Sequence, residues 1–162
     1  MISATEADWE REKPVRGGYE PGKKLLAAIR RYQLMTTKGS FFAGIIRPIV
    51  VLQYRFWSSI SGADIPLNSK IGGGLLIPHP NGIVIHPDAQ IGPNCLIFQQ
   101  VTIGAGTKSG LPVIEGHVDI GAGAKILGGV HIGAHARIGA NAVVINDIPS
   151  NATAVGIPAV VR

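Results

Sequence analysis

Aliphatic residues recur along most of this chain at an interval of six. Ile65, Ile71, Ile77 and Ile83 begin the series, and after a slip of two residues it resumes at Ile85, Ile91, Ile97 and Ile103. Five extra residues intervene before it runs on through Ile114, Ile120, Ile126, Ile132, Ile138 and Val144. Gly follows the aliphatic position at Gly72, Gly92, Gly104, Gly121, Gly133 and Gly139. The fifth place of most hexads is small or β-branched, as at Ser69, Cys95, Val101, Ala124, Val130, Ala136 and Ala142. A period of six matches neither an α-helix nor a plain strand. It matches a chain that turns a corner after each short strand, so that three hexads close one three-sided coil. The first place of each hexad then points inward and stacks on its counterpart in the next coil, each buried Ile contributing about 1.5–3 kcal/mol. No coil shields its own faces, so stability comes from stacking.

The pattern predicts a mainly β fold, a parallel β-helix of about four coils over residues 61–148. A helical lead-in over 1–60 precedes it, and a tail over 149–162 lacks the hexad and is expected to pack outside the coil. The Gly/Pro-rich stretch Gly106 to Pro112 reads as a loop thrown out from one corner. Upstream, Leu25, Leu26, Ile29 and Tyr32 take helical spacing within Pro21 to Gln33, with Lys and Arg on the other face. A second apolar helix is expected within Phe41 to Ser59, bent or begun at Pro48, and residues 1–20 read as loosely ordered.

Composition narrows the picture. Gly accounts for 22 of 162 residues and aromatics for only 6%, which suits a narrow core built by repetition. The net charge of +5 favours anionic ligands. Nucleic acid is the plain reading of a basic chain, but no Lys/Arg run is interleaved with aromatics, and a phosphate-bearing cofactor fits the charge equally well. Cys95 is the single cysteine and allows no internal disulfide. The first 20 residues carry eight charges and no apolar centre, so no secretory leader is read there and a cytoplasmic location is expected. The apolar stretch 41–57 is broken by Arg47, Pro48 and Arg55 and is too short for a span. It is read as a surface for the domain, a neighbouring subunit or the inner face of a membrane.

Histidine is the natural base near neutral pH, and there are five. His131 and His135 fall at outward places of regular hexads and are read as solvent-exposed. His117 is read as outward too, although it follows the loop and is placed to line a site, and His86 stands at the two-residue slip. His79 lies in LIPHPNG, where two prolines interrupt the repeat, and it is the strongest candidate. Asp64 lies fifteen residues earlier, less than one coil of eighteen, which puts the two on adjacent turns near one edge. Asp64 either orients the imidazole or simply caps the start of the coil.

The run DIPLNSKIGGGLLIPHPNG, Asp64 to Gly82, is similar without gaps to the segment of serine acetyltransferases that holds their catalytic Asp and His. IGAGAKILG (Ile120 to Gly128) and VGIPA (Val155 to Ala159) also resemble that family, so the likeness spans residues 64–162. It places the chain in the hexapeptide-repeat acyltransferase superfamily and implies left-handed winding, His79 as general base and Asp64 as its orienting partner. Acetyl-CoA is then the donor, lying in a groove between subunits of a homotrimer, with no metal. The corresponding lining is Gly104, Ala105, Ala122 and Ala140, with Lys108 and Arg137 for phosphate or loop contacts. Ala122 and Ala140 are eighteen residues apart, one above the other, and small enough to let a pantetheine arm approach the backbone.

Three departures bear on the acceptor. The family carries an acidic residue just before the catalytic His, where this chain has Pro78. It carries a basic pair and a second His in the loop, where Gly110, Leu111 and Pro112 stand here. Its large helical N-terminal domain is cut to about 60 residues. The lead-in ending LQYRFWSSISGADI also resembles short acetyltransferases of exopolysaccharide biosynthesis. A sugar acceptor, met by Asn81 and Gln99 or Gln100, therefore competes with L-serine. Two further readings are a metal enzyme of the γ-carbonic-anhydrase kind, which needs three converging His around Zn²⁺, and a non-catalytic trimeric scaffold.

Overall fold

The computed structural model describes residues 2–38 and 43–162. Two helices, α1 (Pro21–Lys38) and α2 (Ala43–Ser61), lead into thirteen short strands. One parallel sheet holds β1 (Lys70–Ile71), β3 (Gln90–Ile91), β6 (Val113–Ile114) and β9 (His131–Ile132). A second holds β4 (Leu96–Ile97), β7 (Asp119–Ile120), β10 (Arg137–Ile138) and β12 (Thr153–Val155). The third holds β2 (Val84–Ile85), β5 (Thr102–Gly104), β8 (Lys125–Leu127) and β11 (Val143–Val144). Successive strands visit the three sheets in rotation, and each strand bonds to the one a full circuit away.

The register reports what the repeat predicts. Val84 pairs with Thr102 and Lys125 with Val143, both eighteen residues on. Lys70 pairs with Gln90, twenty on, because the slip adds two residues to that circuit. Leu96 pairs with Asp119, twenty-three on, because the loop at 106–112 adds five. Extra residues are thus expelled at corners while the inward places stay in phase. Ile65, Ile83, Ile97, Ile103, Ile120, Ile126 and Ile132 are all 0% exposed and form one core with Leu25, Leu26 and Ile29 of α1.

The rotation continues past residue 148. Thr153–Val155 adds to β10 in parallel register, and only the last strand, β13 (Val160–Val161), turns back antiparallel on it. The N-terminal segment, expected to be loose, is tied down. The Asn94 side chain accepts from Asp8 N–H at 2.8 Å and donates to the Ser3 and Glu6 carbonyls, both at 2.7 Å. Helix α1 starts at Pro21, where a missing N–H costs nothing, and α2 runs through Pro48. Phe41 and Phe42, part of the stretch read as a contact surface, lie outside the described residues. Ile49, Leu52 and Phe56 on α2 are exposed, and among the described residues no helix is long and apolar enough to cross a membrane.

Candidate active site

Helix α2 ends at Gly62, whose φ of +66° is the left-handed C-terminal cap that glycine adopts without strain. The Gly62 N–H closes on Ser58 O at 2.9 Å, and Gly62 O accepts from Gly82 N–H at 2.8 Å. That cap sets Asp64 two residues later at the head of the β2–β5–β8–β11 sheet. Asp64 N–H donates to Ile83 O, and Ile85 N–H donates to Asp64 O. The carboxylate faces outward and is exposed. With burial, it pushes the Tyr54 phenol above its ordinary range, burial being the larger cause.

His79 occupies the corner just before β2. In the next circuit the same corner is filled by Phe98, Gln99 and Gln100, while here Pro78 to Gly82 carry the two extra residues. Two prolines hold the bulged corner and expose the imidazole. His79 makes no hydrogen bond or ion pair to Asp64, and Asp64 is not among the residues that line the cleft around it. The surrounding cleft is lined by Tyr19, Pro21, Ile60, Ser61, Pro78, Pro80 and Asn81. A second cleft shares Tyr19, Pro21 and Pro78 and adds Glu20, Gly22 and Lys23. The sequence reading missed the Tyr19–Lys23 stretch as part of the site, because only tertiary packing brings it to the corner.

Ala122 and Ala140 fall on the same corner column as His79, one and two circuits beyond Gln99, and Ala122 O accepts from Asn141 N–H. Gln99 Oε1 is buried and has no hydrogen-bond partner. An orphaned acceptor in a column of small residues fits a ligand that brings amide N–H groups, as a pantetheine arm does. Gly104 and Ala105 lie at the following corner, where Gly104 O accepts from Gly128 N–H. Lys108, on the extruded loop, pairs with Asp147 at 3.5 Å. Arg137 opens β10 on a different face, in a cleft with His117, Asp119, His135, Asn151 and Thr153.

The other histidines are engaged elsewhere. His117 and His135 meet at 2.7 Å through their Nδ1 atoms, His131 pairs with Glu115 at 3.1 Å, and His86 accepts from Asp88 N–H. Among the described residues no three His, Cys, Asp or Glu side chains converge, which disfavours the zinc-triad reading.

No protein-family model matches the chain. Over 102 residues, 61% of its length, it is 45% identical to a serine acetyltransferase of Synechococcus elongatus, covering 42% of that protein. It is 44% identical over 103 residues to a serine acetyltransferase of Helicobacter pylori, of which it covers 60%. The chain thus spans about half the length of the curated relatives it matches. Among solved structures, soybean serine acetyltransferase aligns over 89% of this chain and 58% of its own, with a TM-score of 0.75 and 35% identity. A serine acetyltransferase complexed with CoA aligns over 89% of this chain and 57% of its own, with a TM-score of 0.73 and 33% identity. In sequence over about three-fifths of its length and in fold over 89% of it, the chain is therefore a homologue of serine acetyltransferases, members of the hexapeptide-repeat acyltransferase superfamily.

Proposed function

We propose that the chain is an acetyl-CoA-dependent O-acetyltransferase, that its three-sheet circuit winds left-handedly as a β-helix, and that it works as a homotrimer with the site between subunits. The observation that carries the reading is the bulged Pro78–Gly82 corner. It exposes one imidazole at the head of the column holding Gln99, Ala122 and Ala140, in a chain 45% identical to a serine acetyltransferase over 102 residues.

The chemistry follows from the residues. His79 removes the acceptor's hydroxyl proton as the oxygen attacks the thioester carbonyl. The C–S bond then breaks, and the proton passes from His79 to the departing thiolate. Asp64 orients the imidazole and stabilises its charged form once the corner and the β2 edge close around substrate, since catalytic contacts often tighten only in the complex. Gly104, Ala105, Ala122 and Ala140 give the donor arm access to backbone, and Gln99 offers it an acceptor. Lys108 and Arg137 supply positive charge for its phosphates.

L-serine is the acceptor that the relatives support. A sugar hydroxyl is the second reading, favoured by the uncharged lining of the His79 cleft by Tyr19, Ile60 and Asn81. The test is CoA release from acetyl-CoA with L-serine and with nucleotide sugars, the acetylated product identified by mass. His79→Ala is expected to lose about 10²–10⁴-fold in kcat with either acceptor. Undiminished turnover by that variant would remove His79 from the reaction.

A further inference from the structure

Glu20 precedes the first turn of α1 and Lys23 stands within it. Their side chains meet at 2.8 Å, Oε1 to Nζ, and are 29% and 27% exposed. Glu20 also accepts from Val15 N–H at 2.6 Å, and Lys23 with that N–H holds its carboxyl below the ordinary carboxylate range. Lys24 turns away, its ammonium 4.8 Å from the Trp57 ring. The Glu20–Lys23 pair lines the cleft that shares Tyr19, Pro21 and Pro78 with the cleft of His79. Placement is rigid, because an added Cβ at Gly22 would come within 2.5 Å of Ile77 O. The first turn of α1 is therefore pressed against Ile77, the core residue that leads into the His79 corner.

A partly buried carboxylate and ammonium side by side next to a hydroxyl-activating base suit a ligand with the same two charges reversed. We propose that Glu20 and Lys23 hold the acceptor, an α-amino acid bearing a side-chain hydroxyl, with Glu20 on its ammonium and Lys23 on its carboxylate. The proposal rests on the acetyl-transfer reading of His79. Binding exchanges one ion pair for two and leaves the net charge of the cleft unchanged. The shared wall of Tyr19, Pro21 and Pro78 brings no formal charge to compete. A neutral sugar gains nothing from such a pair.

The experiment is steady-state kinetics with L-serine and acetyl-CoA on Glu20→Gln, Lys23→Met and the exchanged double variant Glu20→Lys/Lys23→Glu. Each single change is expected to raise KM for serine about tenfold or more, as loss of a charged hydrogen bond does, while KM for acetyl-CoA moves less than about twofold. The exchanged variant keeps an ion pair with its polarity reversed. A purely structural pair would recover serine binding there, whereas an acceptor clamp does not. Unchanged KM for serine in both single variants, or recovery in the exchanged one, overturns the proposal. Turnover of a sugar but not of serine by the wild type also overturns it and leaves the acetyl-transfer reading standing. Normal turnover by His79→Ala instead removes that reading.

Discussion

The Nδ1 atoms of His117 and His135 stand 2.7 Å apart on consecutive circuits, each residue in left-handed backbone with φ near +55° and +60°. At that distance one ring donates and the other accepts, so the pair tolerates one added proton but not two facing N–H groups. Asp119 favours charge there, while Arg11 and Arg137 oppose it, and burial is the largest cause holding His117 below its ordinary value of 6.5. A histidine that binds its proton less readily when folded costs stability as pH falls through the ordinary histidine range. Thermal melts taken from about pH 7.5 down to about pH 5 are expected to show a falling Tm. His135→Asn, which tolerates the backbone, should show a shallower slope. The lowered carboxyls of Glu20 and Asp147 lose their contribution only at lower pH, outside that window. Equal slopes in the two proteins would mean the pair does not titrate as argued.

The Glu12 carboxylate accepts from Arg30 Nη2 at 2.8 Å and Nε at 3.0 Å, and from Leu75 N–H at 3.0 Å. Arg30 also donates to the Ile71 and Gly72 carbonyls at 2.7 and 2.6 Å. With the two side chains 7% and 16% exposed, removing one leaves the other charge in poor solvent. Glu12→Ala is expected to cost about 3–5 kcal/mol in urea unfolding, with Glu12→Gln in between. Hydrogen exchange should rise across residues 2–12, the segment this pair anchors. A loss under about 1 kcal/mol would place the pair among surface bridges instead.

How much of this was legible in the sequence differs by residue. The inward column of Ile65 to Val144 was, because side-chain stacking enforces one period and its two phase breaks surface as register offsets of twenty and twenty-three. The stacking of Ala122 on Ala140 was also legible, as a consequence of that period, whereas their sharing a corner with His79 was not read from it. The role of Asn94 was not. It sits where any turn residue would, and its partners Ser3, Glu6 and Asp8 lie 86 to 91 residues away, a separation no local pattern reports. His117 and His135 were read singly as outward residues, yet their eighteen-residue spacing is the circuit length and was the signal for their contact. Glu20 and Lys23 looked like ordinary charges flanking a helix start.

Cys95 occupies the small fifth place of its hexad, fully buried, and burial pushes its thiol up to about 11. A thiol so rarely ionised at neutral pH is a poor nucleophile. Native protein is expected to stay unlabelled by a disulfide reagent over the time needed to follow CoA release, and to take up one label per chain in guanidinium. Fast labelling without denaturant would show that the core opens locally at this circuit.

Gly22 provides the last test, because it joins helix to coil at the candidate site. Its Cβ position lies 2.5 Å from Ile77 O and 2.9 Å from Ile77 Cγ1, and a backbone carbonyl cannot yield as a flexible side-chain end would. Gly22→Ala must therefore push the first turn of α1 outward. The cost from overpacking is about 1–3 kcal/mol. The same displacement carries Tyr19, Glu20 and Lys23 away from Pro78 and His79, so kcat/KM for the acceptor should fall about tenfold or more, as misplacement of a binding group does. KM for acetyl-CoA, whose proposed column at Gln99, Ala122 and Ala140 does not touch α1, should stay within about twofold. Gly44→Ala, with nothing within 4 Å of its Cβ position, is the matched control. If both variants lower acceptor turnover equally, helix propensity or flexibility governs, and the fixed seat of α1 against Ile77 is not what sets the acceptor's position.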